Sequence, residues 1–439
     1  MRRGTLQLTQ PGWAILGSIV VLVGTGLACI YVTDTHYVRG HDGPANAVKQ
    51  GVRVAVGALL GLAVLRIGYQ RIARYAYVLL FAALALLVPL LLAKLFHTDF
   101  GGLTAPRNGA YRWLHLPGFP LQPSELMKVA YVLALAWYLR FRKNYRGLGG
   151  LMIPVTLSAV PLGLILMEPD LGTALLILPV LFAMLLMAGA KVRHLLLVIL
   201  IGSSAAPPAW GVIKGYQRAR VTAVLLQSDG LRQAVIESPE KYGWLASKRQ
   251  AIEWAASSGY QLVHSKNAMG SGGWIGNGWG RGTYATHPLL PDRHNDFVFS
   301  LIGHQWGLLG CLVVIACYVV IVLAGVWIAA STVEPVGRLL AVGIVALIAA
   351  QVVINLGMTV GLLPITGMTL PFVSYGGSSL LTNFVAVALL IGVSQDRPYL
   401  LAVRPFEYSK VDRGALRQAN REWVAGAALT RARDEARSD

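Results

Sequence analysis

The run Asp292-Arg293-His294-Asn295-Asp296-Phe297 sets two carboxylates, a guanidinium, an imidazole and an amide directly ahead of an apolar stretch. At that join Asp296 has the character of a general base able to take a proton from a hydroxyl, and Arg293 and His294 beside it would steady a departing anion. A plainer role is open to the same residues. Asn295 or Asp296 would cap the helix that follows, and the helix dipole would then hold the carboxylate ionised. The two roles are compatible.

Four other clusters carry chemistry. Gln122-Pro-Ser-Glu125-Leu-Met-Lys128 opens an apolar run with ordinary helix-start residues, yet it leaves Lys128 a turn deeper, within reach of Glu125 at i,i+3. A lysine inside a membrane costs about 2.5–3.5 kcal/mol, so Lys128 is expected to face a partner or a polar cavity. Glu168-Pro-Asp170-Leu-Gly-Thr173 reads as a turn and a helix cap, and its carboxylates also suit a divalent cation. Tyr216-Gln-Arg218-Ala-Arg220 offers two guanidinium groups matched to phosphate. Gly361 to Ser379, with two prolines, four glycines and hydroxyls that include Ser374 and Ser378, has the composition of a re-entrant segment lining a cavity. The glycine-rich run Gly270–Gly282 lacks the Gly-Lys-Ser/Thr of a phosphate-binding loop and follows no strand, so it is not read as a nucleotide site. Its Trp274 and Trp279 suit a membrane interface or a sugar platform.

The elements that must position these residues are membrane helices. Of 439 residues, 55% are hydrophobic and only 13% charged, with a mean hydropathy of +0.57, which places the chain far from soluble domains. The net charge of +18 is therefore read as basic loops facing anionic lipid, and a nucleic-acid partner is set aside. Cys29, Cys311 and Cys317 lie in apolar runs without metal-ligand spacing. Stretches long enough to span hydrocarbon fall at 12–33, 51–69, 75–96, 123–140, 149–167, 171–189, 193–212, 297–329, 338–362 and 379–395. The first is read as a retained span, not a cleaved signal.

The expected fold is thus an all-α polytopic membrane protein of about ten helices. Arg2 and Arg3, then Arg66, Arg71 and Arg74, then Arg140, Arg142, Lys143 and Arg146, then Lys191 and Arg193, then Arg338 and the tail all fall on one face. That face is the cytoplasm, with both termini inside. Residues 1–396 form the membrane domain, 213–296 a large extracytoplasmic loop between helices seven and eight, and 397–439 a cytoplasmic tail. Within the loop, 227–257 looks partly helical and amphipathic, suited to the membrane surface.

In this order and spacing, Arg112-Trp113, Gln122 through Lys128, Glu168 through Thr173, Tyr216-Gln-Arg218, Ser265-Lys266 leading into Gly270-Ser-Gly-Gly273, Arg293 through Phe297, and Gly361 through Ser379 resemble the SEDS family, the shape, elongation, division and sporulation proteins, on its RodA side. The resemblance implies a peptidoglycan glycosyltransferase that polymerises lipid II on the outer face of the bacterial cytoplasmic membrane, partnered by a class B penicillin-binding transpeptidase. It puts the essential aspartate on Asp296, a helix-four pair on Glu125 and Lys128, and an acid on Asp170, where a divalent Mg or Mn ion is a candidate cofactor. Gln122, Arg112, Arg218, Arg220, Lys266, Arg293, His294, Ser374 and Ser378 are the candidate substrate contacts. One departure is clear: a family glutamate soon after the aspartate is missing in Gly303-His-Gln-Trp-Gly307.

The rival function is a flippase for lipid-linked precursors. A transporter keeps functional polar residues at mid-membrane and on both faces, whereas here they crowd one face, which favours the polymerase. A non-catalytic scaffold for wall synthesis is the third reading, and it requires Asp296 to tolerate substitution.

Overall fold

The computed structural model describes residues 8–37, 45–104, 106, 110–116, 119–141, 147–204 and 215–395. Arg2, Arg3, Arg142, Lys143, Arg146, the end of the seventh predicted span and the tail assigned to 397–439 lie outside these residues. Each predicted apolar stretch corresponds to a helix, because a chain in hydrocarbon must satisfy its backbone internally. In chain order they are α1 (Gln10–Tyr37), α2 (Ala45–Ile67), the short α3 (Tyr69–Arg74), α4 (Ala76–Phe96), α5 (Pro123–Leu139), α6 (Leu148–Met167), α7 (Leu171–Met187) and α8 (Val192–Ser204). After the loop region come α15 (Val298–Ser331), α16 (Pro335–Val360) and α17 (Gly377–Gln395). Seven of them, α1, α2, α4, α6, α15, α16 and α17, are long and apolar enough to cross a membrane. The apolar α7 and α8 are shorter.

Burial sorts the helices into an inner and an outer set. Nearly every side chain of α5 is buried, and α16 and α17 are mostly buried as well. α17 lies against α2, α15 against α1 and α16, and α16 against α5 and α7. On the outer helices Leu59, Phe81 and Met152 are exposed, as suits side chains that meet lipid tails. Close approach depends on missing side chains. A Cβ at Gly57 would lie 2.4 Å from the Phe384 ring, and one at Gly343 would lie 2.6 Å from Val132.

The loop regions are more structured than the sequence indicates. Between α4 and α5 a hairpin of β1 (Leu114–Leu116) and β2 (Phe119–Leu121) pairs antiparallel, with Leu114 opposite Leu121. The region from 215 to 296 folds into α9 (Gly215–Leu225), α10 (Asp229–Glu237), α11 (Pro239–Tyr242), α12 (Lys248–Ile252), α13 (Tyr260–Ser271) and α14 (Thr283–Thr286). The amphipathic face expected to meet the membrane surface is instead turned onto protein. Val235 of α10 is fully buried in a local core with Leu226, Trp254, Leu262, Phe297 and Ile365. Amphipathicity signals that a face is covered, not by what.

The glycine-rich run has a backbone role. α15 is interrupted at Gly307, whose φ of 64° and ψ of −158° break the helix. A continuous helix would bond Leu308 N–H to His304 C=O and Leu309 N–H to Gln305 C=O. Here Asn277 N–H and Gly278 N–H donate to those two carbonyls, both at 3.0 Å. Leu308 N–H and Leu309 N–H donate to Gly273 C=O and Trp274 C=O, at 2.9 and 3.1 Å. The loop therefore replaces, group for group, the two bonds that the break removes, so these backbone groups stay paired.

The splice leaves no room for side chains. A Cβ at Gly276, where φ is 82°, would lie 2.1 Å from Gln305 O, whereas one at Gly270 meets nothing within 4 Å. Gly276→Val is expected to cost more than about 2 kcal/mol through strain and steric overlap, and Gly270→Ala to cost well under that. Thermal unfolding of the two purified variants in detergent is the measurement. Equal midpoints would contradict the splice.

Candidate active site

Asp296 sits half-buried two residues ahead of α15, where the Gly361–Gly376 segment passes beneath it. The contact is close because Gly367, at φ 75°, has no side chain. A Cβ there would lie 3.3 Å from Asp296 Oδ2. Several bonds lock the segment to the aspartate's own backbone. Ser374 Oγ donates to Asn295 O at 2.6 Å and accepts from Leu370 N–H. Tyr375 N–H donates to His294 O at 2.8 Å. Asn355, fully buried on α16, donates to Asp296 O at 3.1 Å and to Met368 O at 2.6 Å. Arg220 Nη1 donates to Thr366 O at 3.1 Å, which brings a cation to the same place.

The expected helix cap is not formed. The N-cap of α15 is Phe297, with no side-chain cap bond, so the register falls one residue beyond Asp296. Without cap donors, burial dominates the carboxyl and, together with Asp292, pushes its pKa up to about 7, against the pull of Arg220 and Arg112.

A second group hangs from the same segment. Lys128 and Glu125 form a buried ion pair at 2.7 Å, as their i,i+3 spacing predicts. Lys128 Nζ also reaches Gln351 Oε1 at 3.5 Å, and Gln351 Nε2 donates to Thr369 O at 2.9 Å. The third group is the start of α7. Asp170 caps that helix, accepting from Thr173 N–H and Thr173 Oγ, and it also accepts from Ser124 Oγ and Gln122 Nε2. With four protein donors on its two oxygens it has the surroundings of a cap, which do not fit a cation ligand. Among the described residues no group of three or more His, Cys, Asp or Glu could hold a metal ion.

Several other candidates bond to the surrounding backbone. Gln122 N–H donates to Ser378 Oγ, which donates to Pro120 O and ties β2 to α17. Arg112 bonds Glu168 O and Pro169 O. Glu168 is buried with neither carboxyl oxygen hydrogen-bonded, and desolvation pushes its pKa up to about 9. Arg293 is buried and donates to Tyr284 O and His287 O, so its guanidinium is directed at peptide carbonyls. Lys266 is exposed and bonded to Gln227, which in turn donates to Gly361 O. Arg218 is half-buried on α9, two residues before Arg220.

Sequence reasoning missed Gln50, Arg53, Gln351 and Asn355. All four are polar residues inside otherwise apolar spans, and Gln351 and Asn355 lie one helical turn apart. That was a readable signal.

The chain is similar to known proteins over most of its length. The family FTSW_RODA_SPOVE, described as cell cycle protein, matches residues 13–399. A probable peptidoglycan glycosyltransferase FtsW of Trichlorobacter lovleyi is 32% identical over 400 residues, covering 89% of this chain and 95% of that protein. The peptidoglycan glycosyltransferase MrdB of Escherichia coli K12 is 32% identical over 303 residues, covering 69% of this chain and 74% of its own. A solved structure, described as "Structural coordination of polymerization and crosslinking by a peptidoglycan synthase complex", superposes with a TM-score of 0.68 at 27% identity, covering 89% of this chain and 99% of the other.

Proposed function

Because this chain belongs to the FTSW_RODA_SPOVE family of cell cycle proteins, we propose that it polymerises lipid II with Asp296 as the general base. It is an integral membrane protein and a peptidoglycan glycosyltransferase. In the proposed step the 4-hydroxyl oxygen of one lipid-linked GlcNAc attacks C1 of the donor MurNAc. The hydroxyl proton passes to Asp296. The bond from C1 to the pyrophosphate breaks, its electron pair leaves with undecaprenyl pyrophosphate, and the configuration at C1 inverts. The working face is extracytoplasmic, as the positive-inside rule orients the helices. The partner that cross-links the product is a class B penicillin-binding transpeptidase.

The observation that carries this reading is the carboxyl of Asp296. It stands at the edge of an apolar helix, over Gly367, which has no side chain to set against it, with its pKa raised by desolvation to about 7. A base is most useful when its pKa lies near the working pH. Arg220, fixed on Thr366 O beside it, supplies positive charge to the same site.

The test is glycan synthesis from lipid II by the purified chain with its transpeptidase partner, measured against pH. The base acts ionised, so activity should be full above pH 7 and fall about tenfold for each unit below it. A rate unchanged down to pH 5 would remove Asp296 from the base role.

A further inference from the structure

Arg53 lies two turns into α2, a helix whose only other charges are Lys49 and Arg66. Its guanidinium stacks on Tyr375, 4.6 Å from the ring centre. Its Nε lies 3.1 Å from where a Cβ of Gly377 would stand, at the first residue of α17. It joins none of the ion pairs among the described residues. Its Nη1 is buried without a hydrogen-bond partner, and no other lysine or arginine nitrogen among the described residues is in that state. The other cations near the site are differently placed. Lys128 has Glu125, Arg220 has Thr366 O, and Arg112 has Glu168 O and Pro169 O.

Arg53 is also joined to the site. Tyr375, beneath its guanidinium, donates its N–H to His294 O and turns its ring edge toward the His294 ring at 5.7 Å. Gln50, one turn earlier on α2 and buried, donates to Ser374 O at 3.2 Å, and Ser374 holds Asn295 O. A charge in a membrane span is sustained by a partner or a polar cavity, and among the described residues no acid pairs with this one. What is missing is an anion, and the planar fork of a guanidinium matches phosphate oxygens two at a time.

We infer that Arg53 binds the pyrophosphate of the polyprenyl-linked substrate, across Tyr375 from the chain that carries Asp296. The assignment rests on the polymerase reading for its choice of anion. It separates two tasks, with the acceptor's proton going to Asp296 and the charge of the leaving group going to Arg53.

Farnesyl pyrophosphate is the probe, titrated onto the full-length chain in detergent micelles, with inorganic pyrophosphate and phosphatidylglycerol as competitors. Wild type is expected to bind the probe in preference to both competitors. Arg53→Gln should weaken its Kd about tenfold or more, and the exposed-surface control Arg249→Gln should leave it unchanged. Arg53→Lys, a point charge without the fork, should fall between. Binding by Arg53→Gln within about twofold of wild type would overturn the assignment, as would equal displacement by phosphatidylglycerol, the mark of a general lipid site. If Arg53→Gln fails to fold, Arg53→Lys decides in its place, and an unchanged Kd overturns the assignment. Tight, Arg53-dependent binding by a chain that makes no glycan would refute the polymerase and leave the anion site standing. Glycan synthesis with Arg53-independent binding would do the reverse.

Discussion

Asp296→Asn is expected to give a folded protein whose lipid II polymerisation is lower by about 10²- to 10⁴-fold, the usual worth of a positioned general base. The fold should survive because the bonds that hold this stretch do not use the carboxyl. Asn355 takes Asp296 through its backbone oxygen, Ser374 holds Asn295 O, and Tyr375 holds His294 O. The amide keeps the shape and removes a carboxylate that is desolvated and faces Asp292. Stability should therefore hold or rise slightly, the pattern of a site that gives up stability for activity. Glycan product on a gel, read beside the thermal midpoint of the same preparation, checks both halves. Wild-type product from the variant would return Asp296 to a structural role and revive the scaffold reading.

The second large effect is on stability. Lys128→Met removes one half of a buried ion pair whose side chains are 2% and 9% exposed, leaving Glu125 charged with no cation at 2.7 Å. Breaking such a pair from one side costs about 3–5 kcal/mol, whereas replacing both partners by residues of similar shape is often neutral. Glu125→Gln with Lys128→Met should recover most of the loss, so a double-mutant cycle by thermal unfolding should show strong coupling. Additive single effects would mean that the pair does not act as a unit. The double variant should still fail to make glycan if Lys128 also faces substrate, which separates the two contributions.

The outline of this molecule was legible because hydrocarbon imposes one rule on every span. The runs at 75–96 and 149–167 could be placed almost to the residue, and α4 and α6 lie at 76–96 and 148–167. Lys128 with Glu125 was legible for a local reason, since i,i+3 spacing on a helix determines the contact before any tertiary packing does. Asp296 stood out at a boundary between polar and apolar chain, yet its electrostatic state did not. A cap would have kept it ionised, and a shift of one residue, to Phe297, left burial to set its pKa.

What the sequence concealed is mostly long-range. Nothing local pairs Asn277 with His304 or Gly273 with Leu308, about 30 residues apart, and nothing in Gly361–Gly376 says which carbonyls Asn355 will hold. Arg53 was visible as a charge in an apolar helix. What singles it out, an unpaired nitrogen against Tyr375, exists only once α2 and the Gly361–Gly376 segment are packed together.

The interruption at Gly307 bears on how the chain enters the membrane. A helix that satisfies its own backbone can be released into lipid as soon as it is made. α15 leaves four backbone groups, at His304, Gln305, Leu308 and Leu309, that are satisfied only when the preceding glycine-rich segment arrives. Each group left open to hydrocarbon would cost several kcal/mol. The start of this span and residues 273–278 must therefore dock together before all four groups are paired, so the glycine-rich loop acts as a folding partner for the helix that Asp296 precedes.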